Sequence, residues 1–268
     1  MQYYTSIIIT TFEPMADLDS FCNLTRTPAV ATLEFSSPVH NAMSSTMLDQ
    51  MADHIQSLDQ DPTLKMILIQ SAGDKTFCAG ANLQELLAIE DEASGTAFFY
   101  RFARLILIMR ASPHLILCRV QGKTIGGGLG IIATADFVIA NESAQLRLSE
   151  LLNGIGPFVV GPAIERKIGV AAFGHMSLSP NQWMPASLAE TIGLYDEVTP
   201  DLPALDQAIS HKLEEWSGYS RQALQGIKRM LWSGSPDWQE LLQARAAISG
   251  HLIMTSEART ALGKLRKG

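Results

Sequence analysis

The sequence predicts a mixed α/β fold that gives way to helices toward the C-terminus. Strand and helix patterns alternate through the first half, which argues for stacked β/α units. No strong strand pattern follows about residue 160, and two glycine-bearing junctions each link a strand to an apolar helix. A chain of 268 residues suits one large domain, or one domain with a small helical appendage. We place the β/α core at residues 1–195 and the helical region at 196–268.

The elements follow in order. Ala29-Val-Ala-Thr-Leu-Glu-Phe35 alternates apolar residues and stops at Ser-Ser-Pro38, as a strand would. From Asn41 to Leu58, Met43, Met47, Leu48, Met51, Ile55 and Leu58 recur close to helical spacing. The Asp61-Pro62 break precedes a strand at 64–70. Residues 96–111 form a long apolar helical stretch ended by Ser112-Pro113, and a strand at 115–120 follows. Next come the glycine helix, a short strand Phe137-Val-Ile-Ala140, and Ala144-Gln-Leu-Arg-Leu148. Beyond them Leu202–Trp216, Arg221–Trp232 and Trp238–Met254 read as helices. Pro203 suits the first turn of its helix, where a missing N–H costs nothing. The C-terminal stretch is rich in Met, Leu and Trp, which fits an interface and ordinary core packing alike.

Composition narrows the function classes. A hydrophobic content of 47% with 18% charged residues marks a core-forming globular chain. With 20 basic and 27 acidic residues the formal charge is −7, so nucleic acid and anionic membrane surfaces are poor partners. Cys22, Cys78 and Cys118 are scattered without metal-type pairing, which points to a reducing compartment. The opening Met1-Gln-Tyr-Tyr-Thr-Ser-Ile-Ile-Ile lacks the basic start and apolar core of a signal peptide. No stretch approaches the ~20 apolar residues needed to span a bilayer. A soluble, cytoplasmic protein is expected.

Chemistry concentrates at the two glycine junctions. Ile116-Leu-Cys-Arg-Val120 runs through Gln-Gly-Lys-Thr-Ile into Gly126-Gly127-Gly128, and Leu-Gly-Ile-Ile-Ala-Thr-Ala-Asp136 follows. Glycines at a strand-to-helix junction leave backbone N–H groups unpaired and unshielded, at the positive end of the helix dipole. Such a place holds either a ready-made anion or an oxygen that becomes anionic during reaction. A second junction, Thr76-Phe-Cys-Ala-Gly80-Ala81-Asn-Leu, favours the latter, because two N–H sites aimed at one carbonyl oxygen make an oxyanion hole. The glycines match neither the dinucleotide fingerprint nor the P-loop. Glu150 follows Leu146-Arg-Leu-Ser149 and precedes the apolar Leu151-Leu-Asn-Gly-Ile-Gly-Pro-Phe158. A carboxyl in such surroundings titrates nearer the range useful for proton transfer.

Phe77–Leu83, Val120–Gly128 and Leu148–Glu150 together resemble, in order and spacing, the enoyl-CoA hydratase/isomerase (crotonase) superfamily. The likeness runs from about residue 28 to the C-terminus. It implies a crotonase-like spiral of ββα units whose C-terminal helices pack into a trimer, often a dimer of trimers. It also implies an acyl-CoA thioester substrate, with coenzyme A part of that substrate and no separate cofactor.

By the same match, the N–H groups of Ala81 and Gly127 form the oxyanion hole, and Glu150 takes the place of the family's second catalytic glutamate. Gly130 stands where well-studied hydratases carry the first, so the pair is broken. If one carboxylate serves, Gly130→Glu should leave isomerisation unchanged or worse, and it is also the change that could give Glu150 a partner for water addition. A single carboxylate suits the Δ3–Δ2 enoyl-CoA isomerases, and Gly154-Ile-Gly-Pro-Phe158 resembles their segment. Leu148-Ser-Glu150 resembles methylglutaconyl-CoA hydratase-like proteins, which puts hydration ahead. A CoA-ester-binding protein without turnover is the remaining reading.

Val39 and His40 fall in the loop that curves around adenine and pantetheine in the family. Ala79, Asn82 and Leu83 would flank the thioester, with Ser149 beside the carboxylate, and Lys123 is placed to meet the phosphates. Helix 85–108 would line the acyl pocket. Cys78 reads as a small buried side chain, and Asp136 as the structural residue closing the glycine helix. His54, His114, His175, His211 and His251 lie in no ligand spacing, so no metal is expected.

Overall fold

A computed structural model describes residues 20–235 and 237–265; the reading of residues 1–9 lies outside them. The chain opens with β1 (Phe21–Arg26), β2 (Val30–Ser36), α1 (Ser45–Ser57), β3 (Met66–Ser71), β4 (Thr76–Cys78), α2 (Leu83–Ala88) and α3 (Glu92–Ala111). It continues through β5 (Leu115–Val120), β6 (Lys123–Ile125), α4 (Gly127–Thr134), β7 (Phe137–Asn141), β8 (Leu146–Arg147) and a 3₁₀ turn, Glu150–Asn153. It ends in α5 (Gly161–Leu178), α6 (Ala186–Thr191), β9 (Glu197–Thr199), α7 (Leu202–Ser217), α8 (Arg221–Leu231), α9 (Trp238–Leu252) and α10 (Ser256–Leu265).

Six strands form one sheet in the order β1-β2-β3-β5-β7-β9, with β1 antiparallel to β2 and the other pairs parallel. Parallel pairing needs crossovers and therefore helices on the faces. The period-two alternation of a strand divides the sheet's side chains between two cores. Ile67, Ile69, Ile116 and Cys118 point into the main core with Met47, Met51 and Ile55 of α1. Met66, Leu68, Leu115 and Leu117 point the other way, against Leu205, Ile209 and Leu213 of α7. The remaining strands, β4, β6 and β8, make a second, all-parallel sheet of two- and three-residue strands.

Several boundaries differ from the sequence reading for identifiable reasons. The helix expected from Asn41 starts at Ser45, because His40 and Asn41 stand at φ 52° and 57° and Ser44 caps the helix. The helix expected from 96 starts at Glu92, where Asp91 and Ser94 form a reciprocal cap. The strand expected over 144–148 contracts to two residues, and β1, β4, β6 and the short β9 appear in addition. No helix among the described residues is long and apolar enough to cross a membrane. Among those residues no cluster of His, Cys, Asp and Glu could hold a metal ion.

Candidate active site

The three strands of the small sheet deliver three chain segments to one edge. Thr76 pairs with Lys123, Thr124 with Leu146, and Ile125 with Arg147, all in parallel register. The chain therefore leaves β4 into Ala79-Gly80-Ala81, β6 into Gly126-Gly127 and β8 into Leu148-Ser149-Glu150, side by side. The carboxyl edge of parallel strands is the usual place for ligands.

Two backbone donors there have no acceptor among the described residues. Met43 bridges to Ala81 by donating to the Gly80 carbonyl (2.7 Å) and accepting from the Asn82 N–H (2.9 Å), which leaves the Ala81 N–H out. Gly127 opens α4, so its N–H has no acceptor one turn back. The junctions abut: a Cβ built on Gly80 would lie 3.0 Å from the Ile125 oxygen and 3.6 Å from the Gly127 nitrogen. Gly126 combines both needs for glycine, with φ at 52° and a would-be Cβ only 3.0 Å from Oε1 of Glu150.

Glu150 begins the 3₁₀ turn and points into a cavity of about 90 Å³. The residue keeps some surface toward the cavity, but its Oε2 is buried and has no hydrogen-bond partner among the described residues. Burial pushes its carboxyl up to about 7, against the smaller opposing effect of nearby backbone N–H groups. At that value both protonation states are populated near neutrality, as an acid–base residue needs.

Of the residues singled out in the sequence, Ala79, Ala81, Gly127, Ser149 and Glu150 meet in the cavity wall. Leu86, Phe99 and Phe102 bring in the expected helical segment. Sequence reasoning missed Val160 and Ser249. Val160 lies just past the Gly154–Phe158 segment, and Ser249 arrives on α9 from the far end of the chain. At Gly130 the structure adds a packing constraint. A Cβ there would lie 2.6 Å from Cγ1 of Val160 and 3.4 Å from Cδ1 of Ile106. Hydrocarbon crowds the first atom of any side chain at 130, so a glutamate there requires Val160 to shift.

The other candidates sit apart from the cavity lining. Val39 is 56% exposed and His40 is exposed too, while the His40 carbonyl accepts from the Ala79 N–H (3.1 Å). Asn41 pins that loop, its buried amide donating to the Ala72 (2.9 Å) and Thr76 (2.8 Å) carbonyls. The Asn82 side chain is committed to capping α2 by accepting from the N–H groups of Gln84 and Glu85. Leu83 packs against the main core. Lys123 lies over the Trp183 ring, 5.1 Å from its centroid. Burial pushes the Cys78 thiol up to about 12, the opposite of what a nucleophile requires. Asp136 is structural but no helix cap. It accepts from the Ile116 N–H (2.8 Å) and pairs with the buried Lys228 (2.9 Å).

Comparison with known proteins gives the family. The model of the family described as enoyl-CoA hydratase/isomerase matches residues 25–262. A probable enoyl-CoA hydratase of Mycobacterium tuberculosis is 26% identical over 218 residues, 77% of this chain and 75% of that one. A bacillaene synthase dehydratase of Bacillus subtilis is 30% identical over 156 residues, 56% of this chain and 58% of the other. The crystal structure of an enoyl-CoA hydratase from Bacillus halodurans superposes with a TM-score of 0.84 at 17% identity, covering 91% of this chain and all of that one. That structural likeness establishes the crotonase fold. The chain belongs to the enoyl-CoA hydratase/isomerase family of the crotonase superfamily and is an enzyme of the lyase or isomerase kind.

Proposed function

We propose that the protein acts on an acyl-CoA thioester through an enolate, with Glu150 as the only proton carrier, and that its reaction is hydration of a 2-enoyl-CoA. The observation that carries this reading is a buried, unpartnered Glu150 oxygen in the same small cavity as two unused backbone N–H groups. The thioester oxygen accepts from Ala81 and Gly127, whose preorganised donors stabilise negative charge as it develops. Ionised Glu150 takes a proton from water while the water oxygen bonds to C-3. The enolate then collapses as Glu150 returns a proton to C-2. Atoms balance with no group beyond the thioester and water. Relatives described as hydratases support water addition.

One observation favours a second reading. With Val160 against Gly130, the site has no second carboxylate at that position to share the water. The same Glu150 can then move a proton from C-2 to C-4 of a 3-enoyl-CoA, which is isomerisation. Incubation with 2-enoyl-CoA in ¹⁸O-labelled water decides between them. Labelled 3-hydroxyacyl-CoA is the expected product; interconversion of 2- and 3-enoyl isomers without label means isomerase. Tight binding of CoA esters with no turnover would overturn both. Self-association through α5 and α8 belongs to the same proposal, supported by exposed Val170 (70%), Leu178 (78%) and Met230 (65%). Sedimentation of the purified protein tests for a trimer.

A further inference from the structure

The last described helix, α10, touches both halves of the site. On one side Ala258 is wholly buried against Gly154, the residue that closes the 3₁₀ turn begun by Glu150. Gly154 stands at φ 72°, and a Cβ built on it would lie 2.6 Å from the Ala258 Cα. Backbone meets backbone there, so the position of α10 sets the position of the turn. On the other side Arg259 donates to the carbonyls of Leu87 (3.4 Å) and Ile89 at the end of α2. The front of α2 follows directly on Ala81, and its cap is Asn82. The helix is itself anchored by Leu262, buried in the main core, and by Thr255, whose hydroxyl accepts from the Ala258 N–H (3.3 Å).

Both elements that α10 braces are short: α2 has six residues and the 3₁₀ turn four. Elements of that length are marginal alone and take their order from what packs on them. Catalytic groups nonetheless have to be held to within about 0.5 Å of a productive geometry. An arginine fork suits the task, because its planar donors reach two carbonyls at once with little further ordering. We propose that Arg259 and Ala258 are positioning residues: through α10 they fix the Glu150 turn relative to the Ala81 loop, so that the chain's own C-terminal helix completes its site. The roles of Glu150 and Ala81 in this proposal rest on the function proposed above.

The test compares Arg259→Ala and Arg259→Lys with the unmutated protein. Arg259→Ala should lower kcat about 10-fold with little change in KM, because misplacement at the reacting centre costs rate more than binding. Arg259→Lys keeps a donor and a charge and should recover most of that loss. A second readout needs no substrate. Glu150 is titrated by NMR in protein carrying ¹³C at glutamate side-chain carboxyls, its resonance assigned by its loss in Glu150→Gln. In Arg259→Ala the midpoint should fall from about 7 toward the ordinary carboxylate range, as water reaches Oε2 of the loosened turn. An unchanged kcat and midpoint with only a lower Tm would leave Arg259 a structural residue and overturn the proposal. An upward shift, expected from loss of a cation alone, would overturn it too. If the unmutated protein turns over no enoyl-CoA, the function reading fails by itself, and the NMR midpoint still decides the role of Arg259.

Discussion

The two sheets divide the work of this molecule unequally. The six-stranded sheet has mostly five- to seven-residue strands, most of them buried, and it organises both hydrophobic cores. The three-stranded sheet has strands of three, three and two residues, yet every segment expected to do chemistry leaves from one of its ends. A long strand can bury enough apolar area to stabilise a fold. A short one chiefly aims the chain that follows it. Stability and catalysis should therefore be separable by mutation, one in each sheet.

The largest effect is expected at Glu150. Glu150→Gln keeps size and polarity but cannot carry a proton, so turnover should fall by at least ~10²-fold while CoA-ester binding survives. In the unmutated protein kcat/KM should rise with pH through about 7, since the proton-accepting form is the ionised one. The stability sign runs the other way. Folding raises this carboxyl above its unfolded value, so the folded state holds the proton to higher pH. Its contribution to stability declines as pH rises from the ordinary carboxylate range to about 7. Glu150→Gln should remove that decline in urea melts across the same window. A wild-type rate or an unchanged pH profile in the variant would remove Glu150 from the chemistry.

The matching change in the larger sheet is Ile67→Ala. Ile67 is wholly buried in β3, and a cavity there should cost about 2–5 kcal/mol in denaturant melts. Turnover per folded molecule should stay within about twofold. A kcat loss as deep as that of Glu150→Gln would show that the two sheets do not work separately.

At Gly130 the packing predicts a penalty that the family pattern does not show. Gly130→Glu forces a side chain into Val160 and should destabilise by about 1–3 kcal/mol or more, with no rise in hydration. Pairing it with Val160→Ala removes the colliding methyls and should recover part of the stability. A hydration rate above wild type in the single variant would show that the hydrocarbon wall yields more readily than its packing implies.

This division also explains what could be read from the chain. The strands β3, β5 and β7 were legible because four apolar residues in a row leave a pattern, and β2 because its apolar residues alternate. In contrast β6 was hidden inside Gln121–Ile125, since three residues carry no period. Ala81, Gly127, Ser149 and Glu150, which share the cavity wall, were singled out through motif spacing, which records local turns. Ser249 was not, because it reaches the cavity by packing from a segment remote in sequence, and Val160 was not, because it lies just outside the quoted motif. Asn82 raises a different question. A motif shows that a residue recurs at a place and does not show whether its side chain faces ligand or backbone.

The smallest prediction turns on that residue. The Asn82 side-chain oxygen accepts from the Gln84 (2.9 Å) and Glu85 (3.1 Å) N–H groups, and it lies outside the cavity lining. Loss of such a cap costs about 1 kcal/mol, and aspartate serves as well as asparagine there. Asn82→Ala should lower stability by that amount and leave KM for an acyl-CoA unchanged, while Asn82→Asp should restore stability. If Asn82 instead flanks the thioester, Asn82→Ala raises KM with little loss of stability, and Asn82→Asp does not rescue it because a carboxylate would face the enolate. Denaturant melts and steady-state kinetics on the two variants separate the cap from the contact. They also test whether the segment leaving β4 reaches substrate through its backbone alone.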